Sequence, residues 1–396
     1  MKLNKSNKWP RIIAVSLLTV IIVSFLSTHF PPLSAAEKHV FRRWYLHNNG
    51  AKTAIDDDTS NNLPFIVPKV GVDINWNWLG PDNYFAELPD SNEVIIAIID
   101  TGVDFSKHES KRMYLWSNDE EIADDGIDND CNGYVDDVYG YNFCQKGMSP
   151  AFYRNSCEEN NHGTLCAGII TSIVSIANHD TTRCQSKHPL IKIMSIKVLG
   201  SDTSPVEGDA DNLVNAIEYA ELNGARVCNL SLNIANYSEE IYAAMKKSNM
   251  LFVVSAGNGS GRGVNLDKAP LFPASFDLKN LITVANLNYN GHLNKTSNYG
   301  KNTVDIAAPG TSIYSTNADG SFQYSTGTSM AVPMVSATAA LLFAMDPSSS
   351  AEEINDVILA NSTPVESLRN VVKSGGMLNL GNALISTYLK NNPEEK

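Results

Sequence analysis

Among its six cysteines the 396-residue chain has no Cys-x-x-Cys pair, which argues against a zinc knuckle or a thioredoxin-like redox site. Positive charge is also scarce: 30 Lys and Arg stand against 43 Asp and Glu, a formal net charge of −13. That balance argues against nucleic acid as a partner, because neutralising phosphates takes clustered Lys and Arg. No internal repeat and no long flexible linker is evident. Long apolar runs are rare, with one exception at the N-terminus. Lys2, Lys5, Lys8 and Arg11 precede an uncharged run from Ile12 to Phe30, and Ser34, Ala35 and Ala36 follow as small residues of the kind a signal peptidase reads. Two readings stay open for residues 1–36: an export signal cleaved near Ala36, or an uncleaved anchor making an N-terminal membrane contact. In both, the basic flank places the remaining chain outside the cytoplasm, extracellular or at the cell surface.

What the chain holds in quantity is short, wholly apolar segments alternating with helical stretches. This is the pattern of strands buried on both faces of a parallel sheet. Strands are expected at 94–99, 191–198, 227–231, 251–255 and 281–285, and helices at 163–175, 210–222, 238–247, 330–344 and 351–360. The expected fold is α/β, a mostly parallel central sheet with helices on both faces, occupying about residues 92–388. The polar and aromatic stretch 37–91 reads as an N-terminal extension packed on that body. Cys131, Cys144, Cys157 and Cys184 lie in polar, loop-like sequence and are the better candidates for bridges. Cys166 and Cys228 sit in apolar segments as small buried hydrophobes.

In such a sheet, functional groups gather at the carboxyl ends of strands, where loops and helix N-termini converge. Four residues stand at such places. Asp100 follows the first apolar strand, Asn258 follows another through Ala256-Gly257, His162 opens a helix, and Ser329 opens a second one within Ser325-Thr-Gly-Thr-Ser-Met-Ala-Val-Pro333. A serine hydroxyl becomes a nucleophile when a base takes its proton and a carboxylate orients that base. His162 can be the base and Asp100 the orienting group. The Asn258 carboxamide and the Ser329 backbone N–H can hold an oxyanion. The Gly-x-Ser-x-Gly elbow of lipases and esterases is absent, since Gly327-Thr-Ser-Met stands in its place.

These segments carry a family resemblance. Ile99-Asp-Thr-Gly102, His162-Gly-Thr-Leu-Cys-Ala-Gly168 and Gly327-Thr-Ser-Met-Ala-Val-Pro333 resemble the aspartate, histidine and serine motifs of the subtilisin-like serine proteases, in the family's order. The resemblance runs from Val94 to about Ile385, and Phe41 to Gly50 is similar to the segment preceding the catalytic domain in many secreted bacterial members. It implies a subtilisin-like three-layer sandwich and a serine endopeptidase acting on a protein or peptide substrate, with Asp100, His162, Ser329 and Asn258 as its catalytic residues. Ser231, Leu232, Asn233 and Gly257 fall where the family binds substrate. Two departures stand out. Leu165 and Cys166 replace the usual His-Val, and a cysteine at that place resembles proteinase K-like members, where it is a free thiol beneath the histidine. Asn233 stands where a glycine is usual, so its side chain either narrows the cleft or adds a polar contact. The segment 200–209 is expected to form another wall, whose Asp202, Glu207 and Asp209 either receive a basic substrate group or are a solvated surface.

Between Arg112 and Lys146 there is no basic residue, and the core of this interval is Asp124-Asp-Gly-Ile-Asp-Asn-Asp-Cys-Asn-Gly-Tyr-Val-Asp-Asp137. Asp128, Asp130 and Asn132, followed by Gly133, match the first half of an EF-hand loop, but Tyr139 stands at the twelfth position instead of glutamate. The expectation is a structural calcium loop without the paired helices, held by Asp124, Asp128, Asp130, Asn132, Asp136 and Asp137. A solvated acidic loop is the alternative. Within the enzyme reading, a broad degradative protease and a dedicated processing enzyme are both open, as a monomer. The extension 37–91 is shorter than the separately folding inhibitory pro-domains of many members. A non-catalytic binding protein on the same scaffold would be marked by a lost triad residue, and none is missing.

Overall fold

Unbroken Val and Ile runs such as Val94–Asp100 leave a strand no polar face to turn to water, so they are satisfied inside a sheet covered on both sides. Such a sheet is present in the computed structural model, which describes residues 44–45, 47–49, 73–75, 85, 88–144, 161–177, 189–200 and 210–395. The strands are β1 (His47–Asn49), β2 (Asp73–Asn75), β3 (Val94–Asp100), β4 (Ile191–Lys197), β5 (Ala225–Leu230), β6 (Leu251–Ser255), β7 (Leu281–Leu287), β8 (Ile306–Pro309), β9 (Ile313–Thr316), β10 (Phe322–Ser325), β11 (Thr363–Pro364) and β12 (Gly376–Met377). The helices are α1 (Glu109–Arg112), α2 (Asn161–Ala177), α3 (Ala210–Leu222), α4 (Glu239–Lys247), α5 (Thr328–Met345), α6 (Ala351–Ala360) and α7 (Leu380–Asn391).

Eight strands form the central sheet in the order β11-β12-β8-β7-β6-β5-β3-β4. All pairs are parallel except β11 with β12. Helices α2 and α5 pack on each other and on the strands, α3 and α4 form a second pair, and the three layers place helices on both faces. The chain passes from β3 to β4 on one side, then crosses to β5 on the other. The carboxyl ends of β3 and β5 therefore border a switch point, where an open sheet forms its crevice.

Helix α5 runs through the core, and every residue of it except Ser329 is buried. It is long and apolar enough to cross a membrane, yet it packs against six strands of the sheet. It begins at Thr328, two residues before the expected start, with Gly327 as its N-cap. The cause is tertiary: the Thr328 N–H donates to Asn258 Oδ1 (3.1 Å), a partner 70 residues away that no local pattern reveals. Strand β8 was also not expected. Ile306-Ala-Ala-Pro309 is short and mostly small, and it becomes a strand because β7 lies beside it in register.

Trp44 and Tyr45, from the stretch expected to be an N-terminal extension, sit on this body. The Trp44 indole donates to Thr311 O and the Tyr45 hydroxyl to Tyr314 O, each at 3.1 Å, and both side chains are buried. The expectations for 1–36, for most of 37–91, for Cys157 and Cys184, and for the wall 201–209 lie outside the described residues. Cys131 and Cys144 are not bridged to each other.

Candidate active site

Asp100 ends β3 with its side chain fully buried. The Thr101 N–H donates to Asp100 Oδ1 (2.7 Å), and Thr101 Oγ1 accepts from the Gly163 N–H (3.0 Å), which ties the strand end to the start of α2. So close an approach needs a residue without a side chain, since a Cβ on Gly163 would lie 2.2 Å from Gly102 O. His162, in the first turn of α2, is thereby held against Asp100. Its Nδ1 lies 2.8 and 2.9 Å from the two carboxylate oxygens. A carboxylate only accepts, which assigns the Nδ1 proton and leaves Nε2 as the basic atom of the neutral ring. Burial acts to lower the His162 pKa, but the Asp100 charge and hydrogen bond together hold it above the ordinary 6.5.

Ser329 is the second residue of α5, so its backbone N–H belongs to the group at a helix start that has no intrahelical acceptor. Asn258 turns Oδ1 to the Thr328 N–H, which leaves its Nδ2 pointing elsewhere. A Cβ built on Gly327 would lie 3.5 Å from Asn258 Nδ2 and 3.8 Å from Ser329 N. The two donors thus converge on a space that Gly327 keeps open, beside the Ser329 hydroxyl. An oxygen gaining negative charge there would meet two preset N–H groups.

Pro333 lies inside α5, and its missing N–H would have bonded the carbonyl four residues earlier, that of Ser329. The Ser329 carbonyl instead accepts from Ser231 Oγ (3.1 Å) and the Cys166 thiol (3.6 Å). The Ser329 hydroxyl donates to Ser231 O (3.3 Å). Ser231 Oγ also accepts from Asn229 Nδ2 (3.2 Å), whose Oδ1 accepts from Ser336 Oγ (3.0 Å), so β5 and α5 are stitched by buried polar groups. Cys166 is fully buried close to Asp100 and His162. Burial first, and the Asp100 charge second, push its thiol well above the usual range, so it stays protonated and a poor nucleophile.

One cleft of about 1230 Å³ is lined by His162, Ser329 and Asn258 together with Ser231, Leu232, Asn233 and Gly257. All the expected catalytic and substrate residues therefore border a single space, except Asp100, which lies behind His162. Its acidic lining residues are Glu239 and Glu240, and no Lys or Arg is among the described residues that line it. Missed in the sequence was Ser255, which faces Asn233 from the end of β6; nothing in an apolar strand ending in serine marks it.

The acidic segment packs against the body and carries a cluster of carboxylates. Carboxylate oxygens of Glu121, Asp128 and Asp130 lie within 4.8 Å of one another. Among the described residues no Lys or Arg pairs with them. Three hard oxygen donors of like charge, brought together without a cationic side chain, could hold a metal ion. The grouping adds Glu121, which no spacing rule singles out, and it does not contain Asp124, Asp136 or Asp137. Asp136 accepts from the backbone of Asp125 and Gly126. Asp137 is fully buried and accepts from Asn118, Asn132 and the Tyr219 hydroxyl. Burial pushes its carboxyl above the usual range, against the pull of these three donors. Asn132 spends its amide on Asp130 and Asp137 and its Oδ1 on the Tyr134 N–H.

A family model described as the Subtilase family matches residues 91–380. Subtilisin-like protease 1 of Plasmodium falciparum (isolate 3D7) is 28% identical over 343 residues, covering 78% of this chain and 47% of its own length. The Cell wall-associated protease of Bacillus subtilis (strain 168) is 30% identical over 318 residues, 80% of this chain and 29% of its own length. This chain thus spans about half, or less, of the length of these relatives. A solved structure concerned with the assembly of subtilase cytotoxin SubAB aligns with 80% of this chain and 96% of its own, at 22% identity and a TM-score of 0.58, a likeness of fold.

Proposed function

This chain belongs to the subtilase family, and from that premise we propose that it is a serine endopeptidase acting through an acyl-enzyme on Ser329. One observation carries the reading: two unengaged N–H donors, Ser329 N and Asn258 Nδ2, border the open space at Gly327, beside the cleft lined by His162, with Asp100 behind the ring. In the first step Ser329 Oγ attacks the peptide carbonyl while its proton passes to His162 Nε2. The carbonyl oxygen becomes an oxyanion held by the two donors. The C–N bond then breaks as His162 returns the proton to the leaving amine. Water repeats the sequence on the ester, releasing the acid and restoring Ser329. Asp100 keeps the ring in the right tautomer and stabilises the imidazolium throughout.

The substrate in this reading is a protein or peptide, as the names of the protease relatives suggest. The enzyme is an exported, monomeric one, of the secreted type with a thiol beneath the histidine. Support comes from the basic-then-apolar N-terminus, the cell-wall-associated relative and buried Cys166. Residues 92–388 form the catalytic domain. A calcium ion bound by Glu121, Asp128 and Asp130 would offset most of their charge and brace the segment between Asp100 and His162, without entering the reaction.

The test is to incubate wild-type protein and Ser329→Ala with a peptide library and to read cleavage by mass spectrometry. Wild type is expected to cut, and the variant to lose at least about 10⁴-fold in kcat. Cleavage that persists in Ser329→Ala, or none by folded, calcium-supplied wild type, would sink the reading.

A further inference from the structure

Asn233 reaches across the cleft. It lies two residues beyond Ser231 on one wall, and its Nδ2 donates to Ser255 Oγ on the other at 2.6 Å. A single short hydrogen bond thus ties the two walls together. The other atom of the carboxamide, Oδ1, is buried and has no partner. A buried acceptor without a donor is uncommon in a native fold, and it marks a place where something else completes the bonding.

The space beside this bridge is short. Gly257, at φ +83°, has no room for even a methyl group: a Cβ would lie 2.7 Å from Leu271 Cδ2, 2.9 Å from Asn298 Nδ2 and 3.4 Å from Asn233 Nδ2. Two of those three side chains, Leu271 and Asn233, line the cleft. Gly257 directly precedes Asn258, one of the two donors assigned to the substrate carbonyl. The filled space therefore adjoins the residue that carries that carbonyl, the one that becomes the acyl group.

The geometry points to Asn233 as a specificity-determining residue: its bridge to Ser255 closes the slot beside the scissile carbonyl. The enzyme then cleaves after residues with small side chains, glycine, alanine or serine. This rests on the peptidase reading above and names its substrate class. A serine hydroxyl brings the donor that Asn233 Oδ1 lacks, whereas a phenylalanine or leucine side chain would have to break the bridge to enter. A hydrophobic pocket that gains or loses one methylene discriminates by about 10–200-fold, so a slot closed to a whole ring should discriminate at least as strongly.

Fluorogenic peptides differing only in the acyl residue test this. Wild type is expected to favour alanine over phenylalanine by at least about 100-fold in kcat/KM. Asn233→Gly should cut that ratio at least tenfold by raising turnover of the phenylalanine peptide. Ser255→Ala, which keeps the carboxamide but removes its anchor, should move the ratio the same way and guards against a folding defect in the first variant. Equal or better turnover of the phenylalanine peptide by wild type would overturn the proposal. A second arm does not depend on turnover: titration calorimetry of Ser329→Ala with product-like peptides ending in alanine or phenylalanine. Tighter binding of the alanine peptide supports the closed slot, and equal or tighter binding of the phenylalanine peptide overturns it. Absence of any Ser329-dependent cleavage would instead overturn the peptidase reading, while the binding arm still decides the slot.

Discussion

A histidine at the mouth of a cleft is useful as a base only if its pKa and tautomer are set, and here one residue sets both. Asp100, buried at the end of β3, holds the His162 Nδ1 proton and raises the ring's pKa against the lowering effect of burial. The base must be neutral to take a proton, so activity is lost as pH falls through that pKa. The kcat/KM profile of the wild type should therefore show an acid limb centred above 6.5. Asp100→Asn leaves burial to act alone, so the limb should move to lower pH while the plateau in kcat falls by about 10⁴-fold. An unshifted or raised limb in stopped-time assays of that variant would contradict the account. Burial first, and the same carboxylate second, keep the neighbouring Cys166 thiol protonated, so in the proposed mechanism it is no rival to Ser329.

At the scale of elements, the site depends on how α5 meets β5. Pro333 takes away the helix bond that the Ser329 carbonyl would have made, and the Ser231 hydroxyl and Cys166 thiol supply what is missing. The first turn of α5 is thus anchored to the end of β5 and to α2 instead of to its own second turn. Ser231, expected from the resemblance to touch substrate, has its side chain turned inward to this task. Ser231→Ala should lower kcat by about tenfold, which is roughly 1.4 kcal/mol on the barrier, with KM changed less than about twofold. It should also reduce folding stability by about 1 kcal/mol in urea unfolding, since buried groups lose a partner. Ser231→Thr, which retains the hydroxyl, should recover most of both. A change confined to KM would mean that Ser231 acts on substrate alone.

At the scale of the whole molecule, the acidic segment is fastened to the body through Asp137, which accepts from Tyr219 on α3. Tyr134, Tyr141, Phe143 and Tyr219 pack behind it, edge-to-face except for the tilted Tyr141–Tyr219 pair, with ring centroids 4.7–6.1 Å apart. An ion on Glu121, Asp128 and Asp130 would therefore stabilise more than its own loop. At a hundred times its Kd it would add about 2.7 kcal/mol, so chelation should lower Tm by roughly 5–10 °C and restored calcium should reverse it. Melting curves unchanged by chelator would leave a solvated acidic loop. How much of all this could be read along the chain follows a physical divide. The apolar strands at 94–99 and 251–255, the helix at 351–360 and the motif residues Asp100, His162, Asn258 and Ser329 are encoded locally, in side-chain period and turn chemistry. So is the switch from fully apolar strand to small, polar loop that marks where chemistry is sited. What no local pattern holds is who faces whom: Asp100 and His162 are 62 residues apart, and Asn258 and Thr328 are 70. Only the order of strands in the sheet brings them together. The same holds for Glu121 joining Asp128 and Asp130, for Ser231 taking over the carbonyl that Pro333 leaves free, and for Asn233 meeting Ser255. The sequence by itself determined the fold class and named the candidate reacting groups, because both are written in short-range periodicity and residue type. The tertiary structure alone decided the shape of the cleft and the grouping of the carboxylates, because those depend on contacts between segments far apart in the chain.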